Sequence, residues 1–214
     1  MIRILDYTAM PLTHIGNIAK VCYKSESDPI VVAKDCIASG HHRVLEFAHV
    51  TLELDEVSAR VVREWYTSIV GTSRLQESTR YVNMDDFKFY IPESIMDNYE
   101  ALATYEETME HIRQGYMKLE ELGIPREDCA NVLPLGSHSR FVIQINLRAL
   151  LHMFGMRLCR RALKEYRDTM IQTKKIVRQI DEEWDWIMEN YAKPKCLQEG
   201  RCTETRSCKN PPKD

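Results

Sequence analysis

REWYTSIVGTSRLQESTRYV, residues 63 to 82, changes character in its middle. Its first half reads as a helix and its end as the approach to a strand. Between them Gln76, Ser78 and Arg80 fall in a short polar connection. The helix before it carries an apolar face of Val57, Val61, Trp65 and Ile69, has Asp55 and Glu56 in its first turn where the helix dipole favours acids, and stops at Gly71. A chain that alternates helices and strands around such a connection is of mixed class.

Outward from that stretch the order is mixed α and β. IRIL reads as a first short strand, and HVTLEL places Val50, Leu52 and Leu54 on one face of a half-buried strand. FKFYI repeats the alternation through Phe87, Phe89 and Ile91. A long helix begins near Asp97, carries Tyr99, Leu102, Tyr105, Met109, Ile112, Tyr116 and Leu119 on one stripe, and ends before Gly123 and Pro125. Two further helices are expected, from Phe141 to about Tyr166 and through Met170, Ile176, Ile180, Trp184 and Ile187. The expected fold class is α/β (α+β), a mixed or antiparallel central sheet flanked by long helices. Residues 1–192 read as one compact domain and 193–214 as a polar, cysteine-containing tail.

Composition narrows the function. The 214 residues are 44% hydrophobic, enough to bury a core. The 29 basic and 32 acidic residues are interspersed, which argues against a protein that coats nucleic acid. No apolar run approaches the ~20 residues of a membrane span, and MIRILDYTAM lacks a basic start followed by an apolar core, so a cytoplasmic protein is expected. Seven scattered cysteines in a chain of this length read as reduced thiols.

Some residues suggest chemistry unaided. A hydroxyl beside a guanidinium, as in ESTRY, can share the oxygens of one phosphate, although a solvated arginine is the plain alternative. Arg140 and Arg157 lie in apolar sequence, where an unpaired charge is costly, so each should have a partner. At 3.6 residues per turn Arg148 and His152 share a helix face and Arg157 lies about opposite. Either a ligand or ordinary ion pairs and hydrogen bonds would satisfy that pattern. His41, His42, Arg43 and Glu46 precede a strand without the spacing of a zinc site, and Cys196, Cys202 and Cys208 are too widely spaced for a zinc ribbon, so no metal is expected. There is no phosphate loop, nucleophile elbow or dinucleotide fingerprint.

Taken in order, VCYKS, GHHRVLEFAHVTLEL, QESTRYV, FKFYIPE, VLPLGSHSRFVIQINLRALLHMFGMRLCRRA and the cysteine-bearing tail resemble the flavin-dependent thymidylate synthases over nearly the whole chain. The resemblance implies reductive methylation of dUMP to dTMP, with methylenetetrahydrofolate giving the carbon, FAD passing the hydride and NADPH reducing the flavin. It also implies a homotetramer whose sites draw on several subunits. Carried over by position, Gln76, Ser78, Thr79, Arg80 and Arg140 match the nucleotide-binding loop and its phosphate arginine, and Glu64 a nucleotide contact. Arg157 matches the arginine beside the pyrimidine ring that favours ionisation at N3. His41, Arg43, Glu46, Gln76, Asn146, Arg148 and His152 match flavin-contacting positions.

The chain departs from that pattern inside the opening stretch. The family's Arg-His-Arg triplet reads Thr67, Ser68, Ile69, the gap to Ser78 is one residue longer, and Glu64 stands where a glutamine is usual. Arg43 replaces a small hydroxyl residue, Phe47 a histidine, and His152 a residue that is more often asparagine. Arg60 and Arg63 share a helical face with Thr67 and, with Arg43, would restore positive charge. The departures leave two alternatives open: a related C5 methylase or hydroxymethylase acting on UMP or dCMP, and a nucleotide-binding homologue that has lost its flavin.

Overall fold

The structure, a computed structural model, describes residues 1–209. Four strands form one sheet in the order β1-β2-β4-β3, with β1 Ile2–Tyr7, β2 His49–Ser58, β3 Thr72–Gln76 and β4 His138–Asn146. The ladder is antiparallel throughout. Thr8 N donates to His49 O and Asp55 N to Met1 O; Ala59 N donates to Ser137 O and Leu147 N to Ala48 O; Glu77 N donates to Arg140 O and Asn146 N to Gly71 O. In every pair one residue number rises as the other falls, as antiparallel pairing requires.

The residues gather into two compact units. The first comprises Met1, Leu54–Thr67 and Leu75–Val142, and the second Ile2–Glu53, Ser68–Arg74 and the chain from Ile143 onward. The first holds α3 (Ala59–Tyr66), α4 (Glu93–Met96), α5 (Tyr99–Glu121) and α6 (Arg126–Cys129). Its core includes Val57, Val61, Trp65, Tyr116 and Phe141, with the Trp65 and Phe141 rings 5.8 Å apart. α5 spans the expected residues because Asn98 accepts the Ala101 N–H at its start and Gly123, at φ 77°, leaves the helix in the left-handed region.

The second unit holds α1 (Pro11–Tyr23), α2 (Pro29–Ala38), a 3-10 helix at His42–Phe47, α7 (Leu147–Arg157), α8 (Lys164–Val177), α9 (Glu182–Tyr191) and α10 (Lys195–Gln198). Buried Glu183 accepts the Thr13 N–H and hydroxyl at 2.9 and 2.5 Å, tying α9 to α1, while Trp184 Nε1 donates to Thr8 O.

Several boundaries differ from the sequence reading, for identifiable reasons. The helix expected from residue 57 to 71 is shorter. β2 runs on to Ser58, because a positive φ of 58° at Glu56 moves the buried positions from Leu54 to Val57. Ser58 then caps α3 by accepting the Val61 N–H, and the helix ends at Tyr66. Asp55 and Glu56 therefore lie in a strand, and the centre of the opening stretch is itself β3.

The helix expected from Phe141 begins only at Leu147. Phe141, Ile143 and Ile145 alternate into the core as strand β4, and Asn146 caps α7. The FKFYI segment forms a single bridge between Phe89 and Ser137. The last expected helix divides into α8 and α9, because Asp181 accepts the N–H groups of Glu183 and Trp184 and starts a new helix. Cys196, Cys202 and Cys208 of the tail are described, whereas residues 210–214 of the same expected tail lie outside the described residues.

Candidate functional site

In the first unit the nucleotide candidates are assembled by strand register. The Glu77 N–H donates to Arg140 O at 2.9 Å, so the loop that follows β3 starts directly opposite Arg140. Gln76 Nε2 donates to Ser139 Oγ at 3.0 Å. Ser78 organises the turn: its carbonyl accepts both the Tyr81 and Val82 N–H groups at 3.0 Å, and its Oγ accepts the Arg80 N–H at 3.4 Å. Ser78 and Thr79 are half-buried, while Arg80 and Arg140 are exposed. Two guanidinium groups and two hydroxyls are thus carried by neighbouring stretches of chain, and these are residue types that suit a phosphate.

Arg80 is not idle without a ligand. Its Nε lies 2.8 Å from Glu127 Oε2, and its guanidinium stands 5.7 Å from the centre of the Tyr81 ring. Arg126, the neighbour of Glu127 on α6, reaches back to Tyr81 O at 3.4 Å. A phosphate that takes Arg80 has to compete with Glu127, a partner that gave no signal in the sequence. Glu64 lies half-buried on α3, where its carbonyl accepts the Thr67 hydroxyl at 2.7 Å.

In the second unit one helix and one turn carry the remaining candidates. His41 starts the 3-10 helix just after Gly40, whose φ is 76°, and its N–H donates to Cys36 O at 2.8 Å. From His42 to Phe47 the segment is helical. Among the described residues no group of three or more His, Cys, Asp or Glu side chains is arranged to hold a metal ion. Arg43 and Glu46 are exposed on that 3-10 helix, and Glu46 Oε1 meets Arg148 Nη1 at 2.5 Å. Arg148 and His152 are both exposed on α7, one turn apart.

Asn146 serves two neighbours. Its Oδ1 accepts the Ala149 N–H at 2.9 Å, and its own N–H donates to Gly71 O at 2.9 Å. Gly71 has φ 75°, and a Cβ there would stand 2.5 Å from Asn146 Nδ2, so both the conformation and the space demand glycine. Beside this turn the Ser68 carbonyl accepts the Thr72 hydroxyl at 2.7 Å and Arg74 Nη1 at 3.3 Å. Arg74 is thus a cation at this turn that helical periodicity did not single out, while Arg60 and Arg63 lie exposed on α3. Arg157 ends α7 with its guanidinium 4.9 Å over the buried Tyr166 ring, which supplies the partner its apolar surroundings require.

The candidates thus fall into two sets. Glu64, Gln76, Ser78, Thr79, Arg80 and Arg140 belong to the first unit, and His41, Arg43, Glu46, Asn146, Arg148, His152 and Arg157 to the second. A family model described as thymidylate synthase complementing protein matches residues 3–182. The chain belongs to the thymidylate synthase complementing protein family. It is 27% identical over 192 residues to a flavin-dependent thymidylate synthase of Geobacter sulfurreducens, covering 84% of this chain and 82% of that one. To the corresponding protein of Pyrococcus horikoshii it is 30% identical over 218 residues, covering 95% and 89%.

Among solved structures, the UMP/dUMP methylase PolB of Streptomyces cacaoi, bound with 5-Br dUMP, matches with a TM-score of 0.75 over 90% of this chain and 96% of that one. Sequence identity is 17%, so this likeness is one of fold. For a member of this family the second unit's donor set fits a flavin chemically. Exposed cations at Arg43 and Arg148 suit a diphosphate, and the Asn146 and His152 side chains suit the polar edges of a ring system. No described helix is long and apolar enough to cross a membrane.

Proposed function

We propose that the protein is a flavin-dependent thymidylate synthase, a methyltransferase that converts dUMP to dTMP. The observation that carries this reading is the register of β3 against β4, which sets Arg140 opposite the start of the loop bearing Ser78, Thr79 and Arg80. In a chain of this family, that patch holds the dUMP phosphate, with Gln76 and Glu64 as further nucleotide contacts. Arg80 leaves Glu127 for the phosphate, and Ser78 donates its hydroxyl.

Arg157 acts at the pyrimidine. A guanidinium fixed by its stack on Tyr166 stabilises negative charge developing at N3 without having to reorganise. His41, Arg43, Glu46, Gln76, Asn146, Arg148 and His152 hold FAD. Bound there, the flavin supplies the hydride that, with the carbon of methylenetetrahydrofolate, makes the methyl group that replaces the C5 hydrogen; NADPH restores the reduced flavin. Residues 1–192 act as one catalytic domain in a cytoplasmic homotetramer that takes no nucleic acid and places no metal in its catalytic site.

A second reading has support of its own. Half-buried Glu64 offers only acceptors where an amide offers both donors and acceptors, which changes the hydrogen bonds available to a base or ribose. A solved protein of like fold is a UMP/dUMP methylase, which makes UMP a substrate to weigh beside dUMP; dCMP, with methylation or hydroxymethylation, rests on Glu64 alone. The deciding experiment supplies the purified protein with FAD, NADPH and methylenetetrahydrofolate and compares product from dUMP, UMP and dCMP. Preferential formation of dTMP is the expected result. Preferential turnover of UMP or dCMP establishes the second reading, and nucleotide binding without turnover leaves a homologue that has lost its flavin chemistry.

A further inference from the structure

Cys159, Cys196, Cys202 and Cys208 line a single cavity of about 550 Å³ in the second unit. Cys159 follows the end of α7 by two residues, Cys196 lies on α10, and the other two belong to the segment that continues from it. All four are free thiols, and the remaining cysteines, Cys22, Cys36 and Cys129, do not line this cavity. Burial pushes the Cys196 thiol up, with smaller contributions from Cys159, Cys202 and Cys208.

The wide spacing of the tail cysteines argued against a metal when they were considered alone. Tertiary structure adds the missing member, since Cys159 brings the set to the four soft ligands that a tetrahedral structural metal takes. A divalent ion with four thiolates carries a net charge of about two negative. The charged lining of the cavity is complementary to such a complex: Arg157, Arg160, Arg161, Lys195, Arg201 and Lys209 stand against Glu204 as the lone acid among the lining residues. The thiols do not yet stand at ligating positions. Beyond α10 the segment carrying Cys202 and Cys208 has no regular structure up to Lys209, so drawing them inward breaks no helix or strand.

We propose that Cys159, Cys196, Cys202 and Cys208 form a structural site for a thiophilic divalent cation, with zinc the best match for an all-thiolate set. Binding converts four thiols to thiolates, releases four protons to solvent and fastens the tail to the C-terminal end of α7, two residues from Arg157. The inference does not depend on the thymidylate synthase reading, because metal content is read without any turnover.

The test is elemental analysis of the reduced full chain, followed by exchange with cobalt and observation of the near-ultraviolet thiolate-to-cobalt band. One zinc per chain and an intense band are expected. Cys202→Ser and Cys208→Ser should each weaken cobalt binding by more than about 10-fold, the lower limit even for residues that support a metal indirectly, while Cys22→Ser leaves it unchanged. Zinc should also slow tryptic cleavage after Arg201 and Arg206 in the unmodified protein, a readout that needs no variant to fold. Absence of both zinc and a cobalt band in the reduced protein overturns the proposal. So does a band that survives both tail substitutions, or tryptic cleavage that is indifferent to zinc.

Discussion

The two sets of candidate residues are built by different means. In the first unit, residues more than sixty positions apart in the chain, Glu77 and Arg140, become neighbours through a hydrogen bond between antiparallel strands. In the second unit, Asn146, Arg148, His152 and Arg157 are arranged by α7 alone, one as its cap and three along its length. A helix sets relative positions by local geometry, whereas a strand pair sets them by register, and one residue of slip moves every side chain to the opposite face. The helical set is therefore robust to changes elsewhere, and the strand set is only as secure as its ladder.

Substitutions can break or sharpen this contrast. The largest effect is expected at the end of the helical set. Arg157→Ala should lower kcat for dUMP by about 10²- to 10³-fold, as removal of one preorganised charge-stabilising group does. Flavin absorbance should be retained, and Arg157→Lys should recover only part of the rate because it loses the planar stack. A kcat unchanged in steady-state assays would remove Arg157 from the chemistry.

Next come the strand-built contacts. Arg140→Ala and Ser78→Ala should each weaken dUMP binding. The arginine is worth about 1.5 to 3 kcal/mol, or roughly 10- to 150-fold in Kd by calorimetry. Their combined effect should fall short of the product, as for residues sharing one ligand. Strict additivity would break the single patch into two independent sites.

The turn at Gly71 tests the ladder itself. Gly71→Ala forces a Cβ toward Asn146 and a left-handed φ on an alanine, and should cost about 1 to 3 kcal/mol. For a chain of this size, the melting temperature falls by about 2 to 4 °C for each kcal/mol. A smaller change is expected where Arg80 is held in reserve. Glu127→Gln should release Arg80 and tighten dUMP binding by at most about fivefold, since exposed ion pairs contribute about 0.2 to 1 kcal/mol. Weaker binding would mean that Glu127 positions Arg80 for the nucleotide rather than competing for it.

The smallest effect lies outside both sets. The hydrogen bond from His49 holds the exposed Asp6 carboxyl below its usual value of 3.8. A depressed native pKa adds stability above the unfolded value and loses it as pH falls through the native one. Asp6→Asn should therefore lower the melting temperature slightly well above pH 3.8 and leave it unchanged well below, as thermal melts across pH will show.

Legibility in the sequence followed the same division. α5 was readable because its stripe and Gly123 are local signals, although Asp97, read as near its start, ends α4 and Asn98 is the residue that caps it. The Arg148 and His152 face was readable for the same reason, and both lie on α7 as helical spacing implies. Reading Phe141 onward as helix failed because Phe141, Ile143 and Ile145 are apolar enough for either structure, and only pairing with β2 and β3 decides for the strand. Arg74, Glu127 and Tyr166 escaped notice as partners because each acts across a turn or a tertiary contact with no spacing to announce it.

By itself the sequence determined the mixed class, the long central helix, the family to which the chain belongs and the identities of the candidate residues, since composition, local periodicity and ordered motifs are properties of the chain. Only the tertiary structure decided that the backbone of Arg140 pairs with the start of the Ser78 loop, that Arg74 reaches the Ser68 carbonyl beside the Gly71 turn, and that Cys159 joins three tail cysteines around one cavity. The reason is physical. Strand register and the meeting of distant segments minimise the free energy of the whole packed molecule, and no window of sequence contains that sum.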